Sequence, residues 1–187
     1  METLIRLHSN LTATLERAAD PLLPLLARLS FAATLLVYYW ASGLTKLGDG
    51  VLGLFSPSTG AYAQIFPRQL EAVSYDASQL SPLHSLVVLA GTWAEFLLPA
   101  LILLGLFTRL AALGMIGFVL MQSLTDIYGH GLIDAATIGA WFDRMPDGVI
   151  LDQRLLWVFL LSVLALKGAG ALSFDAVLRR RMVPMPA

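Results

Sequence analysis

The 187-residue chain contains no cysteine. That absence excludes thiol–disulfide catalysis, Cys-ligated iron–sulfur clusters and covalent c-type haem attachment within the chain. Charge is also scarce: Asp, Glu, Lys and Arg make up 13% of the residues and nearly cancel, leaving a formal net charge of −1. Such a balance provides no overall attraction to nucleic acid. The one basic cluster, Arg179 to Arg181, follows the last apolar run and suits an anchor to anionic lipid better than a nucleic-acid site. The start of the chain lacks the apolar core of a signal peptide, because Met1 to Asp20 is polar and of mixed charge.

Apolar side chains are what the sequence has in abundance. They make up 57% of it, and the mean hydropathy is +0.74, outside the range of an ordinary soluble domain. A bilayer core of roughly 30 Å needs about 20 apolar residues in helix. Four runs meet that need, at 22–44, 83–106, 110–127 and 153–172. The expected fold is all-α, a polytopic bundle of four transmembrane helices with two structured outer loops, forming one domain over 1–187. Residues 1–20 carry Leu4, Leu7, Leu11 and Leu15 at helical spacing, which suits an amphipathic interfacial segment or a solvated helix packed on the bundle. Residues 173–187 form a basic tail.

Orientation follows from the cations. Arg6, Arg17, Arg28, Arg109, Lys167 and Arg179 to Arg181 fall on one side. The connection from Asp126 to Arg154 holds five Asp against two Arg, and Thr45 to Pro82 holds only Lys46 and Arg68. An inner-membrane protein with both termini cytoplasmic is expected, with Arg28 snorkelling to the cytoplasmic surface. A tight turn through Phe107, Thr108 and Arg109 should join the second and third helices. The first outer loop is broken by glycine and proline yet holds Phe55, Tyr62, Ile65 and Phe66, so it should fold down over the bundle mouth. The second holds Trp141 as an interfacial anchor.

Glu95 is the sharpest chemical feature, because an ionised carboxylate in the middle of a transmembrane helix costs about 2.5 to 3.5 kcal/mol even on the insertion scale. No cation is expected at its depth. A neutral acid pointing into the bundle is anticipated, bonded to Thr34, Ser162, a backbone carbonyl or a ligand. Pro99, four residues on, frees the carbonyl of Glu95. His84, Gly91 and Glu95 lie near one helical face, which reads as a polar track from the outer surface or as a packing contact. His84 and His130 both fall on the outer side and are candidate metal ligands in a shared polar cluster, with haem ligation or plain loop contacts as alternatives. Tyr38, Tyr39, Trp40 and Trp93 serve as interfacial anchors or line a quinone pocket, which needs apolar walls and one or two polar groups.

These residues together resemble the DoxX family of small four-helix membrane proteins. The first helix runs from Arg28 to a Gly-x-x-Lys at Gly43 to Lys46, followed by Leu47. The hairpin after Glu95 reads Leu103-Leu104-Gly105-Leu106-Phe107-Thr108-Arg109-Leu110-Ala111-Ala112, and Lys167 to Asp175 is similar to the family's Gly-Pro-Gly-Arg-x-Ser-x-Asp signature, with Ala169 and Ala171 in place of Pro and Arg. The resemblance implies the fold, and associates the chain with quinone-linked thiosulfate oxidation and with membrane redox complexes that contain soluble partners. The leading expectation is an integral membrane subunit of a redox system that handles quinone or supports a soluble oxidoreductase. Glu95 is then the catalytic proton-handling residue, and Tyr38, Trp93 and Lys46 are the cofactor-binding candidates. The alternatives are a non-catalytic scaffold or assembly factor, and a membrane protein handling a small solute or metal.

Overall fold

The computed structural model describes residues 1–182; residues 183–187, the end of the expected tail, lie outside the described residues. Four helices are long and apolar enough to cross a membrane: α1, Glu2–Leu44; α4, Pro82–Leu104; α5, Thr108–Gly129; and α7, Val149–Lys167. Between α1 and α4 lie α2 (Thr59–Ile65) and α3 (Pro67–Ala72), with α6 (Ala135–Ile138) between α5 and α7, and α8 (Phe174–Met182) after α7. The protein is thus an all-helical, multi-pass membrane protein.

Local chemistry sets the helix ends. Proline at the first position starts α4, where its missing N–H costs nothing. Gly105, at φ 67°, stops it in the left-handed conformation that glycine adopts without strain. The turn into α5 is therefore Gly105 to Phe107, two residues earlier than expected, and Thr108 is already helical. Gly168, at φ 82°, ends α7 before the expected residue 172. Each of α1, α5 and α7 contains a π-helical stretch, at Ala32–Leu36, Thr125–Gly129 and Val149–Gln153. Residues 1–20 are not a separate segment, because α1 runs unbroken from Glu2 despite Pro21 and Pro24.

The four long helices form a ring in which α1 packs on α4 and α7, and α5 packs on the same two. Phe31, Leu35 and Tyr39, spaced by four on α1, meet Ile102 of α4, Ala111, Ala112, Met115 and Val119 of α5, and Leu161 and Leu164 of α7. Large apolar side chains such as Val37, Leu97, Leu113, Leu120, Phe159 and Leu166 face outward. Lys46, Thr92, Glu95 and Arg154 are buried. Large apolar side chains facing outward around a core that holds charged groups suit lipid, where packing and polar contacts hold helices together.

Arg28 does not snorkel outward. Its guanidinium turns into the bundle and donates to the carbonyls of Ile102 and Leu103 at the end of α4 and of Ala169 and Leu172 beyond α7. Carbonyls at and beyond helix ends lack a full set of helical donors, and although the Gly105 N–H also reaches the Ile102 carbonyl at 3.1 Å, the five-donor fork fits there. Asp175 completes this end by accepting from the Phe107 and Thr108 N–H groups at 2.8 and 3.0 Å.

At the opposite end, the segment between α1 and α4 folds back over the bundle as expected. Tyr62 and Leu70 pack with Ala61 on Val88 of α4, and the Tyr62 hydroxyl donates to Ser85 Oγ at 3.0 Å. Trp141 donates its indole N–H to the Leu151 carbonyl.

Candidate functional site

Glu95 is only 4% exposed, and it points into the bundle. Its partner is a cation. Lys46, just past the end of α1 and 5% exposed, places Nζ 3.0 Å from Oε1 and 2.9 Å from Oε2. Ser42, one turn before Lys46, donates its hydroxyl to Oε1 at 3.0 Å and accepts from Nζ at 2.8 Å. Carboxylate, ammonium and hydroxyl thus form a closed triangle in which the charged groups satisfy one another, the condition for keeping an ion pair in an apolar interior.

The cation corrects the expectation that none lies at this depth and that Thr34 or Ser162 is the partner. Those two hydroxyls donate instead to the carbonyls of Ser30 and Val158, one turn back on their own helices. Neither is free for Glu95. The physical reason lies in where α1 stops. Glu95 sits 13 residues inside α4, about 20 Å of helix at 1.5 Å per residue, yet α1 ends level with it, where Gly43 packs on the Phe96 ring and the Trp40 indole donates to the Phe96 carbonyl at 3.2 Å. A residue in the loop after α1 therefore reaches the middle of α4.

The triangle forms part of the wall of a cavity of about 520 Å³ between α4 and α5. Ala90, Gly91, Ala94 and Leu98 of α4 and Gly114, Gly117, Phe118 and Met121 of α5 give it apolar sides. Gln64 of α2, Gln122, Thr125 and Asp126 of α5, and His130 just past its end also line it. Asp126 is itself paired: Arg154 Nη2 lies 2.6 Å from its Oδ2, and Nη1 donates to Ser123 Oγ at 3.0 Å. The cavity is apolar along its length, with a charged pair at Lys46 and Glu95 and a second carboxylate toward His130.

The DoxX family model matches residues 23–125, which include Ser42, Lys46, Glu95 and most of the cavity wall. The chain belongs to the DoxX family. No curated protein and no solved structure matches it. In this DoxX protein the Gly-x-x-Lys at Gly43 to Lys46 and the acid at Glu95, which motif reading treated as separate features, meet in one ion pair.

Among the other candidates, Tyr38 and Trp93 do not line the cavity. Tyr38 contacts Trp157 and accepts from Gln122 Nε2 at 2.8 Å, so it supports the wall from behind. Trp93 donates to the Leu54 carbonyl at 2.7 Å and stacks edge-on with Phe55. Gly91 lines the cavity with Glu95, but His84 does not continue that track; it packs on Phe66 and bonds Ser81 Oγ at 2.8 Å. His130 bonds the Gln64 carbonyl at 3.0 Å, so the two histidines have different partners. Among the described residues no group of three or more His, Cys, Asp or Glu is placed to hold a metal. Ser42, Asp126 and Arg154 were missed by sequence reasoning. The signal for Ser42 was its position four residues before Lys46, and the signal for the other two was an acid and a base at the ends of consecutive apolar runs.

Proposed function

We propose that this DoxX protein is a membrane subunit of a redox system and that its cavity takes the head of a quinone, with electrons supplied by a soluble oxidoreductase partner. The observation that carries this reading is the Lys46–Glu95 pair set in the largely apolar wall of a cavity between membrane helices. The cavity volume falls within the roughly 300–1,000 Å³ usual for small-molecule sites. Lys46 is the donor for a ring carbonyl, and Glu95, in direct contact with it, is the group that exchanges a proton with the bound head. Apolar walls exclude water and accommodate the ring. The uneven placement of Arg and Lys supports an inner-membrane location with both termini cytoplasmic.

The test is extraction and identification of quinone from the purified protein, with titration of a one-isoprene benzoquinone into quinone-depleted protein. Saturable binding that Lys46→Met abolishes is the expected result. Absence of both co-purified quinone and saturable binding in the folded protein would overturn the reading.

A further inference from the structure

We propose that the cavity is loaded sideways from the bilayer, through a gap between α4 and α5 beside Gly117, and not from the aqueous end beside His130. This rests on the cavity being a site for a lipid-dissolved molecule with a polar acceptor head.

Two sets of observations define the route. The first concerns the aqueous end, which is partly covered, with Gln64 and His130 exposed at its edge but bonded to one another. The α2–α3 cover is tied to α1 by Ser58 N–H to the Lys46 carbonyl at 3.0 Å and by Gln64 Nε2 to Thr45 Oγ1 at 3.2 Å. It is tied to α4 through Tyr62 and Ser85, and to α5 by the bond between His130 and the Gln64 carbonyl. Pro67 at the start of α3 also abuts Gly129, where an added Cβ would come within 3.2 Å of the proline ring. The roof is anchored to three of the four long helices.

The second set concerns the flank. At Gly114 the helices touch, since a Cβ there would lie 3.1 Å from Leu98. One turn further along α5, a Cβ on Gly117 would meet nothing within 4 Å. The helices therefore part above the Leu98–Gly114 contact. Val87 and Ala90 on one side and Gly114, Gly117 and Met121 on the other both line the cavity and are exposed. All five lie within the membrane-spanning helices, so this opening meets lipid. A molecule dissolved in the acyl chains reaches the Lys46–Glu95 pair through it without crossing water, and its apolar tail remains in the bilayer.

The absence of cysteine permits a direct test that needs no quinone. Ala94→Cys places one thiol on the cavity wall. In nanodiscs, N-dodecylmaleimide in the bilayer should modify it, and a sulfonated stilbene maleimide in the water should not. Adding Gly117→Phe, whose ring enters open space, should slow modification at least tenfold. Gly117→Leu is the smaller plug should the phenylalanine variant not fold, and Leu120→Phe on the outward face should change nothing. His130→Ala, which frees the roof from α5, should leave the bilayer reagent's rate unaltered. Equal modification by the aqueous reagent, or an unchanged rate with Gly117 plugged in folded protein, overturns the proposal. A correct labelling pattern in a protein that binds no quinone would sink only the reading of the ligand.

Discussion

Arg154 Nη2 stands 2.6 Å from Asp126 Oδ2, which ties the start of the regular helical part of α7 to the π-helical end of α5. Arg154 is buried, whereas the Asp126 side chain is 22% exposed. Removing one member of a buried pair strands the other charge, at about 3 kcal/mol or more. Asp126→Asn should therefore lower the thermal unfolding midpoint clearly, because it strands the buried guanidinium, and Arg154→Gln less, since water reaches the carboxylate that it leaves unpaired. Equal midpoints for wild type and Asp126→Asn would show that the pair does not hold these helices.

The Lys46–Glu95 pair should show strong coupling. Glu95→Gln leaves a buried ammonium without its counter-charge, and Lys46→Met leaves a buried carboxylate, so each should cost about 3 kcal/mol. The double variant should cost less than the sum, because no uncompensated charge remains. A double-mutant cycle in unfolding free energy measures this, and additive costs would contradict a direct pair.

Arg28→Lys should not be conservative. The guanidinium bonds carbonyls on two separate segments at once, which the three donors of an ammonium at one point cannot reproduce. A loss of about 2 kcal/mol is expected from the forfeited charge-assisted bonds. Midpoints within error of wild type would mean that the fork geometry is dispensable.

Orientation is testable with single cysteines. Residues introduced at Ser58 and Asp143 should react in intact cells with an impermeant maleimide, and one at Arg180 only after the membrane is opened. The reverse pattern would invert the topology.

Asp76 accepts from the Ser78 hydroxyl at 2.6 Å, from Gln79 Nε2 at 2.9 Å and from the Ser78 N–H at 3.0 Å. The Ser78 hydroxyl first, then Gln79 and the Ser78 N–H, hold this exposed carboxyl below its ordinary value of 3.8. With the folded value depressed, the turn is fully stabilised above about pH 4 and loosens as pH falls through the folded value. Asp76→Ala should speed amide exchange at Ser78 at neutral pH and remove its acid sensitivity. Unchanged exchange would show that the carboxyl does not hold the turn.

The sequence by itself determined the four spans, the inward acid and the covering loop, because these follow from side-chain hydropathy and from glycine and proline along a single strand of chain. Gly105 and Gly168 stop α4 and α7 short of the apolar runs, which continue to 106 and 172. Only the tertiary structure decided what Glu95 meets, that Arg28 turns inward, and that Asp126 finds Arg154. Hydropathy assigns depth by counting residues along each helix separately, as though all helices began and ended at the same level. Here α1 stops level with the middle of α4, and a lysine beyond its end descends to a carboxylate that no count along either helix could have paired with it.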